Sequence, residues 1–171
     1  MLSVVLLVLF FSGLLFAAVH DLATMTIPNW VSIAFAVVFP AAALATGMSL
    51  PQIGLHYLAG IIGLVICIGL FSFGVFGGGD AKLLPAVLIW MGPSVWMQYV
   101  YGIALFGGLL ALLFIITRRF VPRTVIPGVL KRSVVEGPGI PYAVAIGLGA
   151  IWAMPNSPVL ESLISAISSG H

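Results

Sequence analysis

Long apolar runs decide what this chain can become. Residues 1–19 hold no charged side chain, and further apolar stretches occupy about 53–76, 95–116 and 140–154. Nineteen residues rising 1.5 Å each make a helix about 29 Å long, close to the hydrocarbon thickness of a bilayer. In that solvent every backbone polar group must be satisfied inside the protein, which a helix does and an open strand does not. Composition agrees: 62% of residues are hydrophobic and 6% charged, with a mean hydropathy of +1.28, where soluble domains carry about 25% charged residues. The 171 residues are therefore expected to form one membrane-embedded domain over 1–171, an all-α bundle of about six transmembrane helices. The expected surroundings are the lipid bilayer. A formal charge of +2 argues against a nucleic-acid partner. One cysteine, Cys67, gives neither a disulfide framework nor a thiolate metal site, and reads as a small buried hydrophobe.

Between the apolar runs lie breaks of distinct character. Ala17-Ala18-Val19-His20 faintly resembles a signal-peptide cleavage site, but without a basic n-region the first run reads as a retained span. His20 to Asn29 is a polar break, in which Pro28 biases Ile27 away from helix and Asn29 is placed to cap a helix over about 30–45. Pro40 is expected to kink that helix, as membrane helices tolerate. The third run carries Gly60 and Gly63 at a spacing suited to close helix packing. A short helix over about 81–91 and a turn at Gly92-Pro93-Ser94 lead to the fifth run, where Gly102, Gly107 and Gly108 read as packing residues. Residues 117–139 hold Arg118, Arg119, Arg123, Lys131 and Arg132 against one acid, Glu136, and 121–130 is apolar enough to lie in the interface plane. After the last span, Leu160, Leu163, Ile164 and Ile167 mark an amphipathic tail expected to rest on the membrane surface.

One stretch carries chemistry. In Phe76-Gly77-Gly78-Gly79-Asp80-Ala81-Lys82 an acid and a base sit two residues apart between apolar runs. A charge kept in such surroundings is expensive and marks a functional site. The three glycines leave the backbone open to close approach by another chain. Five of the six basic residues lie between the fifth and sixth runs, which by the positive-inside rule places that loop in the cytoplasm. Counting back through alternating spans puts the glycine–aspartate turn and the Asp21 loop at that same face. Two carboxylates at one depth cannot both ionise easily when close, so one keeps a proton while the other takes one from water.

At this point the motifs resemble a known family. Gly77-Gly78-Gly79-Asp80 is similar to the GxGD signature of type IV prepilin peptidases, above all the short members that process Flp-type pilins in Tad pilus systems. Asp21 with Ile27-Pro28-Asn29 resembles the family's first motif, and Gly139-Ile140-Pro141-Tyr142-Ala143 its third. The resemblance implies six spans and an aspartic endopeptidase without cofactor or metal. Its partner would be a prepilin precursor, cleaved after a glycine at the cytoplasmic face of the inner membrane. It implies Asp21 and Asp80 as the catalytic pair, with Gly77, Gly78, Gly79, Lys82, Pro28 and Asn29 in support. The longer members also methylate the new pilin N-terminus through an inserted domain with paired cysteines; no CxxC stands here, so that activity is not expected.

Plainer readings stand beside these. Asp80 can be read as a helix N-cap, Asp21 as an interfacial residue ending the first helix, and Glu136 as a solvated charge or a partner of Arg132. Lys82 either snorkels to the headgroups or supports an ionised aspartate. His20 reads as interfacial and His56 as lying near the opposite face. Another class of function, a small cation- or proton-coupled transporter or channel, would use the same aspartates, but at the bilayer midplane rather than at one edge.

Overall fold

A computed structural model describes residues 1–122, 124–136 and 139–168, with the side chains of Val129 and Glu136 left out. The reading of Glu136, and the Arg123 part of the basic loop, lie outside the described residues. The described residues are helical, with no strand: α1 (Leu2–Thr24), α2 (Asn29–Ala45), α3 (Leu50–Ser72), α4 (Asp80–Met91), α5 (Trp96–Phe120), α6 (Gly128–Lys131) running into a π-helical turn (Arg132–Glu136), α7 (Tyr142–Ala153) and α8 (Pro158–Ser168). The all-α expectation holds. By length and hydropathy α1, α3 and α5 can each cross a membrane, and α7 with α8, bent by 67° at their junction, would make a fourth span if taken together. The other helices fall short of a bilayer's thickness. At 1.5 Å per residue the 17 residues of α2 reach about 25 Å and the 12 of α4 about 18 Å.

The bundle is built around α4. Every residue from Ala81 to Met91 except Lys82 is buried, the signature of a helix apolar on all sides. Burying a helix end leaves its last carbonyls without partners unless other groups supply donors. Here Gly92 N–H returns to Leu88 O at 2.9 Å, the His56 ring Nδ1 lies 2.7 Å from Ile89 O, and Ser157 Oγ donates to Trp90 O at 2.9 Å. His56 is thus a structural cap at the far end of α4 from Asp80, stacked on Phe39 with ring centroids 5.2 Å apart. Gly92, at φ 81°, admits no side chain because a Cβ would strike the His56 ring.

Small residues let the other helices close in. A Cβ on Gly63 would lie 2.9 Å from Leu88 Cδ2, and one on Gly60 would overlap Ile89, so α3 packs directly on α4. Gly102 and Gly149 face each other where α5 crosses α7, with a Cβ on Gly102 only 2.9 Å from Gly149 Cα. Gly108, expected to pack as well, has nothing within 4 Å of where its Cβ would stand.

Several expected boundaries move. The first helix does not stop at residue 19 but runs through His20 and Asp21 to Thr24, because loss of hydropathy marks the edge of the bilayer and not the end of backbone hydrogen bonding. Asn29 does not cap α2: Pro28 holds the N-cap position, and Asn29 is the first helical residue. The other end of α2 stays where expected, at Ala45 with Pro40 inside the helix. Beyond α5, the described residues of 121–130 hold turns and the start of the four-residue α6. The amphipathic tail forms α8, but its Leu160 and Leu163 are buried in the bundle, leaving Ile164 and Ile167 outside.

Candidate active site

Asp21 sits within the last turns of α1 and is 5% exposed. The helix is stopped by Met25, whose φ of 56° and ψ of 33° put a side-chain-bearing residue in the left-handed region and return its N–H to Asp21 O at 2.8 Å. Such a conformation persists only where surroundings enforce it. The enforcing contacts are local: His20 Nδ1 lies 2.8 Å from Thr26 O and 3.0 Å from Thr24 Oγ1, and Thr24 Oγ1 donates to His20 O at 2.8 Å. His20 thereby shapes the loop that follows Asp21.

That loop is laid against the glycine motif. A Cβ on Gly79 would stand 3.0 Å from Ile27 Cβ and 3.3 Å from Ile27 N, so the absent side chain at 79 is what lets Ile27 seat. Pro28 then caps α2, and Asn29 Oδ1 accepts a hydrogen bond from Lys82 Nζ at 2.9 Å. Lys82 and Asn29, singled out separately in the sequence, are partners.

Asp80 is the first residue of α4, not its cap. The amides a cap would serve are already used: Ala81 N–H donates to Gly77 O at 3.0 Å, while Lys82 and Leu83 donate to Gly79 O at 3.1 and 2.9 Å. The plain N-cap reading of Asp80 fails on this geometry. Its Oδ1 is buried with no hydrogen-bond partner, and its Oδ2 lies only 2.8 Å from where a Cβ on Gly77 would be. Gly77 is therefore glycine to make room for the carboxylate. Gly78 is under no such constraint, since a Cβ there would meet only the Phe71 ring at 3.5 Å. Asp80 precedes the buried body of α4, outside the long spanning helices. Burial first, and the Asp21 charge second, push its pKa up to about 7, against the opposing pull of the Gly77 amide.

The third motif completes the arrangement. Pro141 is the N-cap of α7, Tyr142 its first residue and Ala143 its second, and the Ala143 N–H donates to Asp21 Oδ2 at 3.1 Å across 122 residues of sequence. Tyr142 stacks edge-on against Phe76, centroids 5.6 Å apart, directly before the glycines. A Cβ on Gly139 would stand 3.0 Å from Met25 Cε. Each pair of motifs thus touches: the first and second through Ile27–Gly79 and Asn29–Lys82, the second and third through Phe76–Tyr142, and the third and first through Ala143–Asp21. Among the described residues no group of three His, Cys, Asp or Glu could hold a metal ion. Nothing in the sequence pointed to Met25, and although Ile27, Ala143 and Arg118 fall in stretches that sequence reasoning singled out, it assigned none of them a part in the site. Ala143 contributes only its backbone N–H, which leaves no side-chain signal beyond Pro141 ahead of a helix.

Comparison with known families now decides kinship. A model of the type IV leader peptidase family matches residues 8–116, well over half of the chain and inclusive of both aspartates. The chain belongs to that family. It is a peptidase and a multi-pass membrane protein, and prepilin-type precursors are the substrates its family implies. No curated protein and no solved structure matches it.

Proposed function

We propose that this family member is an aspartic endopeptidase that removes the leader of Flp-type prepilins at the cytoplasmic face of the inner membrane. Asp21 and Asp80 act together as a general acid–base pair. The ionised carboxylate takes a proton from water, whose oxygen attacks the scissile carbonyl carbon, and the protonated carboxyl gives its proton to the carbonyl oxygen. Collapse of the diol breaks the C–N bond and returns a proton to the leaving amine. The observation that carries this reading is the convergence of all three motif segments on the two aspartates at one end of the bundle. A transport site would instead belong near the middle of the bundle.

An apolar groove of about 640 Å³ between α3, α4 and α5 ends at Phe76 and Tyr142. It suits the apolar N-terminal helix of a pilin, with its leader junction delivered to the glycine motif. The glycines leave that backbone open for an extended peptide to pair along it. N-methylation is not part of the proposal, because only Met25 to Pro28 separate α1 from α2 and leave no room there for an inserted domain.

The test is cleavage of a Flp-type prepilin in membranes by wild type, Asp21→Asn and Asp80→Asn. Both variants are expected to lose leader removal while keeping normal protein levels. Full cleavage by either would refute the pair.

A further inference from the structure

The two carboxyls of the site are furnished differently. Asp21 Oδ2 receives the Ala143 N–H at 3.1 Å, a first-turn amide at the positive end of α7. A backbone N–H can only donate, and donation to a carboxylate favours its charged form. Asp80 has less support: the first-turn amides of α4 are taken by the Gly77 and Gly79 carbonyls, only the Gly77 amide pulls toward its charged form, and Oδ1 is buried without a partner. A buried oxygen without a donor favours the neutral carboxyl.

The α7 turn is itself held in place. Arg118, in the last turn of α5, donates from Nη2 to Gly139 O at 2.7 Å and Ser133 O at 2.9 Å, and from Nε to Val134 O at 3.1 Å. Its planar fork thus ties the residues just ahead of Pro141 to the π-helical turn, which packs on α1.

We propose that the first turn of α7, held by Arg118, makes Asp21 the general base and leaves Asp80 as the general acid, with Arg118 a positioning residue for the pair. The inference rests on the protease reading and assigns roles within it. The titratable and charged groups on the surrounding elements are these. His20 adjoins Asp21 on α1, and Asp80 and Lys82 stand at the start of α4. Tyr142 is on α7, Arg118, Arg119, Tyr99 and Tyr101 on α5, His56, Tyr57 and Cys67 on α3, Lys131 on α6, Arg132 and Glu136 on the π-helical turn and Glu161 on α8; α2 contributes none. Each turnover then restores its own starting state. Asp21 takes the water proton and passes it to the leaving amine, while Asp80 gives its proton to the carbonyl oxygen and recovers one from the diol as the C–N bond breaks.

The chain contains only two aspartates, so labelling aspartate with ¹³C at the carboxyl carbon gives two resonances, assigned by Asp21→Asn and Asp80→Asn. Titration in lipid nanodiscs is expected to find Asp21 ionised where Asp80 still carries its proton, the two midpoints at least about one pH unit apart. Arg118→Gln is expected to bring the midpoints about one unit closer by moving that of Asp21, and to lower kcat with KM unchanged. Arg118→Lys does not rescue, because a single ammonium does not reproduce the fork. Asp80 ionising first, or an Asp21 midpoint unmoved in a folded Arg118→Gln, overturns the assignment. Should Arg118→Gln fail to fold, the order of the midpoints in the wild type decides alone. Cleavage by the two Asp→Asn variants reports separately on the protease reading, which survives a reversed order of ionisation.

Discussion

Gly77→Ala separates what the fold needs from what the chemistry needs. The new Cβ would stand 2.8 Å from Asp80 Oδ2, where ordinary contact begins at about 3.4 Å, so the carboxylate must give way by roughly 0.6 Å. Gly77 does not have a positive φ, so alanine brings no backbone strain, and the displaced atom is the end of a short side chain free to rotate. The stability cost is expected to stay under about 1.5 kcal/mol. Catalysis has no such slack: a misplacement approaching 1 Å costs up to about 100-fold, so cleavage is expected to fall 10- to 100-fold. Gly78→Ala is the control, since its Cβ would make only ordinary contact with Phe71 at 3.5 Å, and it should cleave within about twofold of wild type. The assay is initial-rate removal of a prepilin leader in membranes at matched protein levels, with thermal unfolding run in parallel. If Gly77→Ala cleaves as fast as Gly78→Ala, or loses rate only in proportion to lost folded protein, Asp80 Oδ2 is not a reacting atom.

Two further outcomes follow from the same geometry. The pKa of Asp80, raised from 3.8 to about 7 in the folded chain, means that the folded state binds more protons than the unfolded one between those values. The contribution of Asp80 to wild-type stability therefore falls as pH rises from about 4 to 7 and levels off above. Asp80→Asn escapes this loss and is expected to gain about 1–2 kcal/mol over wild type at pH 8 relative to pH 4, below the ceiling of about 4 kcal/mol because Asp80 is only partly buried; a pH-independent difference in unfolding midpoint would contradict it. Gly149→Ala places a Cβ 2.7 Å from Ile103 Cγ1 and 2.8 Å from Ile103 N, and because backbone cannot yield, α5 and α7 must part. That is expected to cost about 1–3 kcal/mol in thermal unfolding, whereas Gly108→Ala, with open space around it, should be silent.

What the sequence determined by itself is the kind of object this is and where its candidate site lies. Long uncharged runs leave only helices as a way to satisfy the backbone in a bilayer, and two aspartates kept among them stand out because retaining them is costly. Both were legible because they are facts of side-chain type. The extent of α1 was not, since a helix propagates through His20 and Asp21 on backbone bonds after hydropathy has ended. Nor was the fate of the tail, because the pattern of Leu160 and Leu163 says that a face is apolar without saying whether lipid or protein covers it.

Only the tertiary structure decided which groups serve which. Lys82 with Asn29, His56 with the end of α4, and Arg118 with Gly139 are pairings across chain folds. The difference between the two aspartates rests on backbone amides: one free at the start of α7 and given to Asp21, the others consumed at the start of α4 beside Asp80. Every residue but proline carries the same amide, so no sequence pattern announces which one will be left to donate. Helix ends and their neighbours in space settle that.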